Sequence, residues 1–297
     1  MGWMGTWMGM GVGLISPTIY FHASGRFARN WLTLQMMAIQ RTMGNKIESF
    51  HVAGLWKRWN IVWDNINKQM NILVGINGSG KTTLLNLMYE YYTTARATGN
   101  EPGIDATPAQ LDGDVRVVYL KSLDNYSQKD KRKKGNALLQ ELEHVVYQNK
   151  DNFSFFNYRM EMLDYPAKAA EISDRINGFL KAVDELLGET GKQIAIKDGR
   201  LVFNQGGATI ELEQLSSGEK QMLLILINVF LLREKSAIVF MDEPEIALHV
   251  SWQYKLLNTL TQLNPNAQFI ITTHSPSIFG NGWGANVVYM EDIMKAL

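Results

Sequence analysis

Gly75-Ile76-Asn77-Gly78-Ser79-Gly80-Lys81-Thr82 is the stretch that decides the reading of this chain. It fits G-x-x-x-x-G-K-[ST] at every fixed position. Before it, residues 70–74 (MNILV) form a short apolar run that reads as a buried strand. After it, residues 82–92 read as a helix, with Leu84, Leu85, Leu87, Met88 and Tyr91 at helical spacing. Strand, glycine loop and helix are the context the motif requires. Gly75, Gly78 and Gly80 let the backbone curl until successive N–H groups face inward. The helix start adds free N–H groups and the positive end of its dipole. The expectation is an anion cradle of Asn77, Gly78, Ser79, Gly80, Lys81, Thr82 and Thr83. Lys81 would reach the β- and γ-phosphates of ATP, and the Thr82 hydroxyl would hold Mg²⁺.

Further along, residues 237–241 (AIVFM) read as a second buried strand that ends in Asp242-Glu243. Two adjacent acids are common in loops. At the C-terminal end of a buried strand, downstream of a phosphate loop, they stand where an open α/β sheet binds ligands. Asp242 is expected to orient Mg²⁺, and Glu243 to polarise the attacking water. A third strand over 268–272 (QFIIT) leads into Thr273-His274-Ser275-Pro276. A lone histidine is most often structural. Here, just past a strand end on the edge that carries the acids, His274 is expected to contact the γ-phosphate.

A second motif, Leu215-Ser216-Ser217-Gly218-Glu219-Lys220-Gln221, lies more than 130 residues beyond the first. Lys81, this run, the acid pair and His274 occur in an order that resembles ABC-type ATPases. Within that class the chain is most similar to soluble members: Rad50- and RecF-like heads, and the ATPases of OLD-family and related bacterial anti-phage systems. In these the acid strand often ends D-E-P-E-x-x-L-H; here it reads Asp242-Glu243-Pro244-Glu245-Ile246-Ala247-Leu248-His249. The resemblance covers residues 46–297 and implies an α/β P-loop NTPase of the ABC-ATPase type, with a mixed central sheet and an inserted helical lobe. It also implies that Ser216, Ser217, Gly218 and Glu219 touch the γ-phosphate held by another subunit, so that the heads close as a homodimer or higher even oligomer. An ordinary cap of the helix expected over 218–232, by Ser216 or Ser217, is the alternative reading. Ser217 and Glu219 depart from the glycine and glutamine of the transporter pattern, as is usual in the soluble group. A Q-loop glutamine should follow the strand expected over 115–120 (VRVVYL); Lys121-Ser122-Leu123 stand there, and Gln128 is the nearest candidate.

Lys and Arg total 29, matched by 29 Asp and Glu, so the net charge is zero. A chain that wraps nucleic acid is usually more basic, so charge does not signal such a partner. There is no cysteine, which excludes disulfides and thiolate metal sites and fits a cytoplasmic setting. No stretch of about 20 apolar residues appears that would span a membrane. Residues 1–45 contain no acid but carry Arg26, Arg29 and Arg41, together with Trp3, Trp7 and Trp31. They read as an N-terminal extension: a start called too early, with Met36, Met37 or Met43 as the true one, a disordered or partner-binding tail, or a targeting segment. The ATPase domain is expected over 46–297, with its first strand near 46–52.

The helical lobe is expected over about 122–190. The charge run at 129–134 (KDKRKK) reads as a solvated loop, with a nucleic-acid or partner contact as the alternative. Leu138, Leu139, Leu142, Val145 and Val146 recur at helical spacing. Phe153, Phe155, Phe156 and Tyr158 form an aromatic cluster, core by default and base-stacking as the alternative. A long helix starts at Pro166, presents Ile172, Ile176, Phe179, Leu180, Val183, Leu186 and Leu187 on one face, and ends at Gly188. A hairpin follows over 193–197 and 200–204 around Asp198-Gly199. Residues 93–110, with Gly99, Pro102, Gly103 and Pro108, read as a loop. Trp56, Lys57, Arg58 and Trp59 suit adenine stacking, a hairpin tip or core.

The function this implies is an ATP-hydrolysing subunit whose heads close around ATP to control an effector in an anti-phage system. With 23 residues after His274 (297 − 274), that effector is expected to be a separate chain, a nuclease or similar. The alternatives are a RecF-like repair ATPase, a transporter ATPase and a nucleotide-gated scaffold with little turnover.

Overall fold

The structure, a computed structural model, describes residues 43–94, 103–122, 137–148 and 153–297. Almost all of the expected N-terminal extension, the charge run at 129–134 and Gln128 lie outside the described residues. In chain order the strands are β1 (Met43–Gly44), β2 (Ser49–Leu55), β3 (Trp59–Trp63), β4 (Met70–Val74), β5 (Ile104–Thr107), β6 (Gln110–Leu111) and β7 (Arg116–Leu120). They continue with β8 (Gln193–Lys197), β9 (Arg200–Gln205), β10 (Ala208–Ile210), β11 (Ala237–Asp242), β12 (Ala267–Thr273), β13 (Val287–Tyr289) and β14 (Met294–Ala296). The helices are α1 (Lys81–Thr94), α2 (Ala137–Tyr147), α3 (Phe155–Asp164), α4 (Ala169–Leu187), α5 (Ser217–Phe230), α6 (Val250–Leu263), α7 (Pro276–Phe279) and α8 (Met290–Ile293).

A five-stranded sheet ordered β13-β4-β12-β11-β7 is parallel at every pairing. Its central strands β11 and β12 are buried at every residue, as expected for a parallel sheet covered on both faces. Alternate side chains divide between two cores. Leu73, Ile238, Phe240 and Ile270 join Leu84, Leu85 and Met88 of α1, together with Phe50, Ile61 and Trp63. Ile72, Val239, Met241, Phe269 and Ile271 face α5 and α6. The antiparallel strands form two other sheets, β14-β3-β2-β5 and β10-β9-β8, so parallel and antiparallel pairings are segregated rather than interleaved. Helix α1 packs between the parallel sheet and β14-β3-β2-β5.

The segment 93–110, expected as a loop, holds strand β5, which pairs antiparallel with β2, and β6, which pairs with β1. Four residues of mixed polarity between Gly103 and Pro108 carry almost no local signal. The exposed edge of β2 supplies the hydrogen bonds that make β5 a strand.

In the lobe, α4 buries Ile172, Ile176, Phe179, Val183, Leu186 and Leu187. Phe155, Tyr158 and Phe179 surround Phe230 of α5 with ring centroids at 5.9, 5.5 and 4.7 Å. The aromatic cluster is therefore core at Phe155 and Tyr158, each buried ring stabilising the lobe by about 2–3 kcal/mol. Phe153 instead lies under the Arg116 guanidinium at 4.0 Å. The β8–β9 hairpin forms as expected and gains a third strand, β10.

Candidate active site

Strand β12 lies between β4 and β11, so three parallel strands deliver their C-terminal ends side by side. The glycine loop follows β4, His274 follows β12, and the acid pair ends β11. The register pairs Asp242 with Thr272 and Thr273 with Val74. Residues scattered over 200 positions of sequence thus converge on one sheet edge, the place where α/β sheets bind ligands.

Gly78 and Gly80 adopt φ of +78° and +98°, in the left-handed region that glycine tolerates best. Lys81 is almost completely buried, and its ammonium donates to the carbonyls of Gly75 at 3.0 Å and Ile76 at 3.1 Å. Burial lowers its pKa, while Glu243 and Asp242 nearby oppose that shift. The Thr82 hydroxyl donates to Asp242 Oδ1 at 2.9 Å, and so does the Thr272 hydroxyl at 2.6 Å. Glu243, at φ +47°, turns away from the strand and is held by its N–H to the carbonyl of Thr272 at 3.1 Å. Its carboxylate meets His274 Nε2 at 3.2 Å. Burial first, then the Asp242 charge, pushes the Glu243 carboxyl above its ordinary value, with His274 opposing. Glu245 Oε1 accepts from the Thr273 hydroxyl at 2.6 Å and from the His274 N–H at 2.8 Å, which fixes the start of the histidine loop.

These groups border a cleft of about 410 Å³ lined by Trp56, Asn77, Gly78, Gly80, Lys81, Thr82, Thr83, Glu243 and His274. Ser79 does not line it; its hydroxyl is buried against Gly75 and has no hydrogen-bond partner among the described residues. Trp56, half-exposed at the β2–β3 hairpin tip, lies over the loop: a Cβ on Gly80 would come 2.1 Å from its ring. Of the roles open to Trp56 to Trp59, Trp56 therefore takes the hairpin tip beside the cleft.

The second motif is elsewhere. Ser216 caps α5, its hydroxyl accepting from the Glu219 N–H at 3.2 Å while Glu219 Oε2 accepts from the Ser216 N–H at 2.8 Å. Ser216 and Ser217 are exposed, Gly218 and Glu219 are buried, and none of the four lines the cleft. Sequence reasoning missed Thr272 as a partner of Asp242, Glu245 as the anchor of the His274 loop, and Lys192, which pairs with Glu219 at 2.6 Å. Glu245 stood inside a quoted motif; Thr272 and Lys192 carry no signal of their own. Among the described residues no cluster of three or more His, Cys, Asp or Glu is arranged to hold a metal, and no helix is long and apolar enough to cross a membrane.

A glycine loop opening a helix at the edge of a parallel sheet, with an acid pair and a histidine on neighbouring strand ends, defines a P-loop ATPase of the ABC type. The fold agrees: an SMC head solved in complex with the C-terminal winged-helix domain of ScpA superposes with a TM-score of 0.50 at 13% identity, over 85% of this chain and 97% of that one. The chain belongs to the family described as "AAA domain, putative AbiEii toxin, Type IV TA system", whose model matches residues 100–280. It is an ATPase. It is 34% identical over 89 residues to the Retron Ec83 probable ATPase of Escherichia coli, a match covering 26% of this chain and 16% of that protein. It is 23% identical over 272 residues to the Septu protein PtuA of Bacillus thuringiensis, covering 71% of this chain and 67% of that one.

Proposed function

We propose that two copies of this chain close head to tail around ATP, each completing the other's site, and that the closed state controls a separate effector in a bacterial anti-phage system. The observation that carries this reading is the division of the motifs. Lys81, Thr82, Glu243 and His274 border one cleft, and Ser216 does not border it. A site so divided is completed when a second copy presents its α5 N-terminus, where free N–H groups and the helix dipole favour an anion. The anti-phage assignment rests on the motif resemblance together with the retron and Septu relatives.

In the site, the ammonium of Lys81 exchanges its two carbonyl partners for phosphate oxygens. Glu243 orients water and accepts its proton, which its raised pKa favours, and His274 stabilises charge on the γ-phosphate. Thr82 Oγ1 and Asp242 Oδ1, close together and both oxygens, suit Mg²⁺, which takes one or two protein ligands beside phosphate and water. When bound, that ion neutralises charge on the phosphates. Glu245 keeps His274 at the strand end.

The test is complementation. Ser216→Arg and Lys81→Ala are each expected to be inactive. Mixed, they regain one complete site per heterodimer, and part of the ATPase rate returns. No recovery on mixing, together with a molar mass by light scattering that ignores Mg-ATP in Glu243→Gln, refutes the two-headed reading.

A further inference from the structure

Glu219 creates a problem at the start of α5. It is a carboxylate, 2% exposed, in the third position of the helix whose N-terminus is to receive a phosphate. It already occupies the Ser216 N–H, and an unpaired buried charge there is unfavourable in itself and repels an incoming anion. The solution comes from outside the motif. Lys192, in the turn between α4 and β8, places its ammonium 2.6 Å from Glu219 Oε1, with both side chains largely shielded from water. The turn is itself fixed. Gly191 takes φ +70°, the Gln205 amide donates to the Thr190 carbonyl at 2.7 Å, and Glu189 accepts from the Ser251 hydroxyl at 2.5 Å and from the Lys255 ammonium at 3.1 Å. The lobe is thereby tied at one point to the signature helix and at the next to the helix that follows the acid loop.

We propose that Lys192 is a positioning residue that makes an acidic signature compatible with an anion: it neutralises Glu219 and holds the start of α5 ready for the γ-phosphate of an ATP bound by a second copy. This rests on the trans role of Ser216 given above. It implies that the helical lobe, through one ion pair, sets whether the neighbouring site fires.

The experiment compares full-length Lys192→Met, Glu219→Gln, the double variant and Ser216→Arg. Mg-ATP turnover, nucleotide affinity and ATP-dependent mass are measured for each. Lys192→Met is expected to bind ATP with unchanged affinity, because its own phosphate loop is intact. It should lose turnover about ten-fold or more, and lose the ATP-driven mass increase. Removing both charges should bring turnover back to within about three-fold of Glu219→Gln. A merely structural role predicts a lower Tm without recovery of turnover in the double variant. Wild-type turnover in folded Lys192→Met overturns the proposal, as does a folded double variant that turns over far below Glu219→Gln. If Lys192→Met does not fold, the comparison of the double variant with Glu219→Gln decides alone. Full activity in Ser216→Arg defeats the trans reading itself; an inactive Ser216→Arg beside an unaffected Lys192→Met defeats only the role of Lys192.

Discussion

Gly218→Ala tests the junction between the second motif and the acid loop. Gly218 is buried at the second position of α5, and a Cβ built on it would lie 2.3 Å from the Ala247 carbonyl oxygen and 3.3 Å from its carbon. An unstrained carbon–oxygen contact needs about 3.3 Å, so the two segments must part by about 1 Å. Neither yields easily. Ala247 is held at φ +66°, the Leu248 N–H bonds the Glu245 carbonyl at 2.9 Å, and the Gln253 amide bonds the Leu248 carbonyl at 3.0 Å. The displacement therefore falls on Ser216 or on the loop that carries Glu243. Overpacking of this kind costs about 1–3 kcal/mol, and in a domain of this size each kcal/mol lowers Tm by roughly 2–4 °C. A misplacement of about 1 Å in a reacting constellation costs on the order of 100-fold in rate. Differential scanning fluorimetry and a coupled ATPase assay read both effects. Gly178→Ala is the control: it lies in α4 with nothing among the described residues within 4 Å of its Cβ, and it is expected to be neutral or slightly stabilising. Wild-type turnover and Tm in Gly218→Ala would refute the close packing on which the argument depends.

Lys81→Ala removes the mobile cation of the cradle and is expected to abolish tight ATP binding in a fluorescence titration; unchanged affinity removes the phosphate-loop assignment. Glu243→Gln keeps shape without basicity, so ATP should still bind while turnover drops by a factor on the order of 100 or more. The Lys192–Glu219 pair has a pH signature. Burial raises the Glu219 carboxyl, but the hydrogen bonds from Lys192 and Ser216 outweigh it and hold the pKa below the ordinary value. A depressed carboxylate contributes stability that is complete above its unfolded pKa of about 4.3 and is lost as pH falls toward the folded value. The Tm gap between wild type and Lys192→Met should therefore be full at pH 7 and narrow as pH falls below about 4.3; a gap independent of pH down through that range counts against the ion pair.

Much of the central sheet was legible because its signals are local. The apolar runs at β4, β11 and β12 have the continuous hydrophobicity of strands buried on both faces, and the structure places them within a residue or two of expectation. The α4 stripe and the Asp198-Gly199 hairpin carry equally local periodicity and turn chemistry. Helices α3 and α6 were not expected; the short strands that escaped are those whose stability is borrowed. β5, β10, β13 and β14 are three or four residues long and become strands by bonding to neighbours already in place. No pattern within so few residues distinguishes them from loop.

The candidate site divides along the same line. The sequence by itself determined which chemical groups are available: a glycine cradle that needs positive φ, a lysine, a hydroxyl, an acid pair at a strand end and a capped helix start. Each follows from backbone freedom, side-chain chemistry or periodicity within a dozen residues. Only the tertiary structure decided which of them meet. The order β4-β12-β11 brings the loop, His274 and the acids to one edge, and it sets the Thr82 hydroxyl 2.9 Å from Asp242 across 160 residues. The same packing sends Lys192 to Glu219 and puts Gly218 beneath Ala247. Such pairings depend on strand order and helix docking, which arise from burying two separate apolar cores on opposite faces of one sheet, and no local stretch of the chain encodes them.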